Sequence, residues 1–277
     1  MTPIMLSDMI KIDDPTQYKL HLGCASDGTN PLDEYADDRD KWLAWNRWRG
    51  TKDDWSRDFI FSFIEFYPLK DAWMFGGVFR VIARHDPGPD GYDLERMDEF
   101  DKYEGRLICQ SSSLLGRRGQ GRAFLFEKHM NSFEVIEIPH FRYDGAKFPG
   151  YENINISFAE LKPIIRREKQ DWKYSLSPVK GVYLIMDTST GKYYVGSAYG
   201  GDGIWSRLSC YINTGHGWDQ GLTELLKDKE EDYAIKNFKF SLLETFTFTT
   251  PDQPILDREA HWKKVLMSRD FGHYNRN

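Results

Sequence analysis

The sequence predicts an α+β protein in two parts: a mixed, β-rich N-terminal domain over residues 1–169 and a smaller C-terminal domain over residues 170–277. Three observations carry this reading. Helix signals gather at residues 30–50, short strand-like runs between Gly, Pro and Asp clusters fill residues 71–148, and beyond Lys169 a hairpin pattern precedes two amphipathic helical stretches. With 277 residues, 40% of them hydrophobic, the chain has enough apolar content to build a core in each part.

The first stretch, "MTPIMLSDMIKIDDPTQY", lacks the basic start and apolar run of a secretory signal, and no run of about 18 apolar residues follows anywhere. Cys24, Cys109 and Cys210 are odd in number and far apart, so neither a disulfide framework nor a cysteine-built zinc site is expected. A cytoplasmic protein fits these features best.

Charge is uneven. The formal net charge of −6 divides into −9 over residues 1–105 (13 basic, 22 acidic), +4 over 106–170 (11 basic, 7 acidic) and −1 over 171–277 (13 basic, 14 acidic). A bulk basic balance, the usual mark of a nucleic-acid binder, is absent, so any DNA contact must rest on local positive charge.

Residues 30–50, "NPLDEYADDRDKWLAWNRWRG", predict a helix with an Asn-Pro start and a Gly stop. Trp42, Trp45 and Trp48 form a stripe on it, and aromatics at that spacing are more often core than a stacking surface. The runs "WMFGGVFRVIAR", "GRLICQSS", "RAFLFEK" and "FEVIEI" predict short strands of a small barrel or curled sheet. The acidic stretch "HDPGPDGYDLERMDEFDKYEG" reads as a loop. Arg117, Arg118 and Arg122, set among glycines in "SSSLLGRRGQGR", are candidate phosphate contacts as much as a solvated hairpin tip. "ELKPIIRREKQDWKYSLSPVK" reads as a polar, partly helical connector, and the domain boundary is placed near Lys169.

"GVYLIMDTSTGKYYVGSAYG" then predicts a hairpin whose register follows from parity. An even-numbered loop pairs odd with even positions, so Ile185 faces Tyr194 and Tyr183 faces Gly196, with both tyrosines on one sheet face. In "GDGIWSRLSCYINTG", Asp202 is the expected N-cap and Gly215 the stop. Ile204, Trp205, Leu208 and Ile212 make its buried stripe. Arg207 and Tyr211, at i and i+4, stand together at the border of that stripe. In "TPDQPILDREAHWKKVLMSR", Ile255, Leu256, Trp262, Leu266 and Met267 span an apolar face and Glu259 falls within it. A carboxylate there requires a partner, which could be a metal or a salt bridge such as one to Arg207. Tyr, Tyr, Arg and Glu together suit phosphodiester hydrolysis. A hard carboxylate oxygen takes a divalent cation, the guanidinium meets phosphate charge, and phenols position or deprotonate water.

These residues stand in the order found in GIY-YIG nucleases, which this part of the chain resembles. Gly181-Val182-Tyr183 is similar to the GIY triplet and Tyr194-Val195-Gly196 to the YIG triplet; Arg207 with Tyr211, then Glu259, then Asn275 complete the pattern. The resemblance covers about the last 100 residues and departs in the first triplet only by Val182 for Ile. It implies a three-stranded antiparallel sheet flanked by helices that hydrolyses DNA with one Mg²⁺ or Mn²⁺. The implied roles are metal ligand for Glu259, general base for Tyr183, scissile-phosphate contact for Arg207 and support for Tyr194 and Asn275. Tyr211 takes a place that is His in some members. His216, in a glycine-flanked loop nearby, is placed to assist proton transfer, to contact the DNA substrate or simply to turn the chain, the last two being the commoner roles.

GIY-YIG cores bring little selectivity of their own, so residues 1–169 are the natural targeting domain. Their β-rich, aromatic character faintly resembles PUA-like barrels that accept a flipped base. The expectation is therefore a restriction-type endonuclease on double-stranded DNA, with base-modified DNA as the narrower substrate and a homodimer as one route to cutting both strands. A repair or mobile-element nuclease and a catalytically silent binding module are the alternatives, the latter disfavoured by the intact Tyr183, Arg207 and Glu259.

Overall fold

The structure, a computed structural model, describes residues 2–26, 28–114, 123–271 and 273–276. Arg117, Arg118 and Arg122 thus lie outside the described residues. The chain forms two compact units, Met1–Tyr143 and Asp144–Asn277.

In the first unit, the elements in chain order are α1 (Leu6–Met9), β1 (Tyr18–Gly23), α2 (Pro31–Asp37), α3 (Arg39–Arg47), β2 (Phe59–Glu65), β3 (Ala72–Arg84), β4 (Tyr92–Arg96), β5 (Ile108–Ser111), β6 (Ala123–Leu125) and β7 (Phe133–Glu137). The sheet order is β6-β1-β2-β3-β5-β7, with β4 also on β3. Only the β1–β2 ladder is parallel among those described. Parallel neighbours need a crossover, and α2 and α3 supply it. Strand β2, "FIFSFIE", is apolar on both faces because each is covered. Phe61 and Phe63 pack with Phe75, Phe126 and Phe133, while Ile60 and Ile64 pack with Trp42, Met74 and Phe79. The described strands follow an open path from β6 to β7, and a PUA-like closure is not seen among them.

Three expectations change here. The helix expected over 30–50 is two helices, broken at Asp38, whose extended backbone (φ −156°) and side chain cap α3 at Asp40 N–H. Its tryptophans separate accordingly: Trp42 is fully buried, Trp45 half-buried and Trp48 exposed beyond the helix end. The acidic stretch read as a loop contains β4, anchored by the buried ring of Tyr92.

In the second unit, β8 (Asn155–Ser157) leads to α4 (Phe158–Arg166), α5 (Gln170–Leu176), β9 (Val179–Asp187), β10 (Tyr193–Ala198), α6 (Gly203–Thr214), α7 (Gln220–Leu226), α8 (Tyr233–Asn237), β11 (Phe238–Thr247) and α9 (Asp252–Val265). An antiparallel sheet of order β10-β9-β11-β8 forms its centre, one short strand more than the expected three. The unit begins upstream of the expected boundary because the supposed connector is amphipathic. Leu161, Ile164, Ile165, Trp172 and Leu176 recur at helical spacing and share a core with Tyr183, Ile185 and Leu208. A capping box between Ser157 and Glu160 starts α4.

Candidate active site

The hairpin has the register that parity requires, with Tyr194 opposite Ile185 and Gly196 opposite Tyr183. Gly196 is needed there because the phenol rings lie across it: a Cβ would come 2.6 Å from Tyr183 Oη and 2.7 Å from Tyr194 Cε1. The room that a glycine leaves opposite Tyr183 is thus taken by the tyrosines themselves.

Helix α6 buries Ile204, Trp205 and Leu208 against the sheet and stops at Gly215, whose φ of +76° suits glycine. Asp202 precedes it but makes no side-chain cap. Arg207 and Tyr211 lie together, the guanidinium 4.8 Å from the Tyr211 ring centroid. Arg207 Nε donates to Tyr183 Oη (2.8 Å), Nη1 to the Gly217 carbonyl (2.8 Å) and Nη2 to Tyr211 Oη (3.2 Å). Nη2 also meets both oxygens of Asp219 at 3.0 Å.

Asp219 is the residue that sequence reasoning missed. Tyr194 Oη donates to its Oδ1 (2.6 Å), and Tyr211 Oη donates to its Oδ2. Since Tyr211 spends its one hydroxyl proton on Asp219, Tyr183, 2.9 Å away, must donate to Tyr211. Protons therefore point along one line, Tyr183 to Tyr211 to Asp219.

Burial raises the phenol of Tyr183, with Arg207 pulling the other way and Asp219 adding to the rise. Tyr194 and Tyr211 are raised likewise, first by burial and then by Tyr183 and Asp219. Burial works against the charge of Arg207, but Tyr183, Tyr211 and Asp219 outweigh it and hold the guanidinium protonated.

Glu259 stands apart from this network. Along β10, Tyr194 and Gly196 face the core of α6, while Val195 and Ser197 face α9, where Val182, Val195 and Ile255 pack. Glu259 accepts from Ser197 Oγ and pairs with Lys263 Nζ at 2.7 Å, one helical turn on. The salt bridge weighed for Glu259 thus has Lys263, not Arg207, as its partner. Met267, expected on the apolar face of α9, lies past the helix end and is half exposed. Asn275 clamps β10 from the chain terminus, Oδ1 accepting from Val195 N–H (2.9 Å) and Nδ2 donating to its carbonyl (2.8 Å). His216 lies in the loop after α6, where its Nδ1 accepts from Trp218 N–H at 3.0 Å.

Among the described residues no group of three or more His, Cys, Asp or Glu side chains could hold a metal. One carboxylate is nonetheless a workable anchor for Mg²⁺, which keeps several waters and is held by one or two carboxylates plus substrate phosphates. Glu259 fits that need, since each of its oxygens keeps a lone pair beyond the bonds to Ser197 and Lys263.

No family model matches the chain, and none of the curated proteins does. Among solved structures it is similar to the catalytic domain of homing endonuclease I-TevI, at 28% identity over 35% of this chain and 98% of that one, with a TM-score of 0.27. A likeness at that TM-score establishes neither the fold nor the activity of this chain. No described helix is long and apolar enough to cross a membrane.

Proposed function

We propose that the C-terminal unit is a metal-dependent DNA endonuclease of the GIY-YIG kind, that the N-terminal unit targets it, and that the whole acts as a restriction-type enzyme. One observation supports this most: Arg207, Tyr194 and Tyr211 direct hydrogen-bond donors at a single anion, with Tyr183 directly behind them. A guanidinium and two hydroxyls aimed at one anion are suited to a phosphodiester and to the charge that grows on it in hydrolysis.

In this reading Arg207 binds the scissile phosphate, and Tyr194 and Tyr211 orient it. Tyr183 takes the proton of the attacking water on the lone pair left beside Arg207 Nε as it passes its own proton to Tyr211, which in turn gives its proton to the phosphate oxygen seated against it, so that no phenol carries two protons. Glu259 holds Mg²⁺ or Mn²⁺, which would supply Lewis-acid stabilisation of the phosphate and leaving oxygen. Asn275 fixes the β10 backbone that sets Tyr194 against Tyr183. The substrate class is double-stranded DNA; a base-modified substrate and a homodimer cutting both strands are the finer forms of the proposal.

One observation favours a second reading, a nucleic-acid-binding unit without turnover: Glu259 already pairs with Lys263 and Arg207 with Asp219. Incubating the protein with unmodified and phage-modified DNA in Mg²⁺, beside Glu259→Ala, separates the two. Cleavage by the wild type and none by the variant is expected. Equal cutting by both, or none on any substrate, overturns the nuclease reading. Double-strand cuts at short sites distinguish restriction from the single nicks of a repair enzyme.

A further inference from the structure

The anion held by Arg207, Tyr194 and Tyr211 belongs to the chain itself. Asp219 stands at the N-cap position of α7, where an aspartate normally accepts from the first turn of its own helix, a bond worth about 1 kcal/mol. It makes no such bond. Both of its oxygens turn to the guanidinium and the two phenols instead.

The short loop that carries Asp219 is under strain. Gly215, Gly217 and Trp218 have φ of +76°, +59° and +65°. Two of these are glycines, for which the left-handed region is permitted. Trp218 is not, and its ring does not compensate by burial, being 77% exposed. Gly217 passes so close to Tyr211 that a Cβ would lie 2.3 Å from its ring, and its carbonyl is a second tie to Arg207. In this state Tyr183 and Tyr211 are fully buried, so nothing from solvent reaches the Tyr183 hydroxyl.

We propose that Asp219 is a built-in stand-in for a substrate phosphate: it occupies the Arg207–Tyr194–Tyr211 seat at rest and leaves it, with residues 215–218, when a phosphodiester arrives. This rests on the anion seat of the preceding section but not on turnover. Phosphate must compete with the seated carboxylate, so its apparent affinity is lowered by the fraction of molecules in which the seat is open. Opening also relieves the backbone of Trp218 and uncovers Tyr183, which couples access to the proposed base to arrival of the phosphate.

The test uses the full chain in EDTA, with inorganic phosphate and a short DNA duplex as probes and titration calorimetry as readout. Asp219→Asn keeps the shape and removes the charge; it is expected to bind both probes on the order of tenfold more tightly than wild type. That gain must vanish in Asp219→Asn combined with Arg207→Gln. No gain, weaker binding, or a gain that survives loss of Arg207 overturns the proposal. Trp218→Gly keeps every side chain of the seat while removing the strain of the seated loop. It is expected to weaken phosphate binding by on the order of fivefold, and unchanged or tighter binding would count against the proposal even if Asp219→Asn failed to fold. Because none of these readings involves cleavage, a protein that cuts no DNA but shows them loses the nuclease assignment and keeps the stand-in. One that cuts DNA through Glu259 without them does the reverse.

Discussion

In the N-terminal unit, His21 Nδ1 and Ser62 Oγ both donate to Asn46 Oδ1, at 2.7 and 2.5 Å, beneath the rings of Trp42 and Trp55. In the C-terminal unit, Arg207, Tyr194 and Tyr211 donate to Asp219. Both are buried networks that end on a shared acceptor. In the first, the acceptor is a neutral amide locked on α3: Asn46 Nδ2 donates to the Trp42 carbonyl, and Trp55 Nε1 caps the Asn46 carbonyl, both at 2.8 Å. Glycines at 23 and 76 leave no room around Trp42, since a Cβ at either would lie 2.6 Å from the indole. In the second, the acceptor is a charge on a strained surface loop. A buried polar network is therefore not by itself a site; an acceptor that is charged and exchangeable is what separates the two.

The sharpest way to break this comparison is Trp42→Ala. If the first network is packing held in place by an aromatic lid, truncation should cost about 3–5 kcal/mol, the range for a large aromatic in a core that cannot collapse. Urea unfolding would show it as a fall in midpoint. A cost near zero would mean that the lid is dispensable and the His21 cluster open.

Next in size is Arg207→Gln. It leaves Asp219 with phenol donors alone, and removing one partner of a fully buried pair costs about 3–5 kcal/mol. Arg207 and Asp219 retain 26% and 12% side-chain exposure, so about 2–3 kcal/mol is expected after solvent screening. Adding Asp219→Asn should return part of that loss, which a double-mutant cycle of unfolding free energies measures. Additive losses would deny the coupling.

The tyrosines also distinguish the networks by pH. A phenol whose folded pKa is raised stabilises the fold fully below its unfolded value of about 10, and that stability falls as pH rises toward the folded value. Tyr183, Tyr194 and Tyr211 are all raised. Thermal melts of the protein should be flat from pH 8 to about 10 and decline above it, and the share of phenolate absorbance due to Tyr183, Tyr194 and Tyr211, read as the difference from their Tyr→Phe variants, should rise only with unfolding. Ionisation of these phenols in the intact fold would contradict their burial.

How much of this was legible in the sequence depends on the range of the interaction. The Tyr183–Gly196 register follows from strand parity, and the Arg207–Tyr211 pair from helical spacing, because both are local. The strands β1 and β2 carry no such local signal; "FIFSFIE" is apolar on both faces and lacks the alternation of a half-buried strand. Asp219 carries no periodic signal, being a loop acid after "GHGW", and its role appears only when β10 and α6 converge on it. Glu259 is out of place on an apolar face by spacing alone, but its partner depends on tertiary placement: α9 packs on the face of the sheet away from α6, which favours Lys263, one turn on, over Arg207.

The smallest and most selective comparison removes one hydroxyl from each network. Ser62→Ala deletes a donor to Asn46 Oδ1, yet His21 still donates to that oxygen, so no acceptor is orphaned and the cost should be about 1 kcal/mol. Phosphate binding and DNA cleavage should be unchanged. Tyr211→Phe costs more, about 1–3 kcal/mol, because it breaks the line from Tyr183 to Asp219, leaving the buried Tyr183 proton without its acceptor and Asp219 one donor short. Its effect should therefore appear in phosphate affinity and cleavage rate as well as in the melt, whereas that of Ser62→Ala appears in the melt alone. If the two variants affect function equally, the distinction between a packed network and a ligand-ready one fails. If only Tyr211→Phe does, the exchangeable anion is what marks the site.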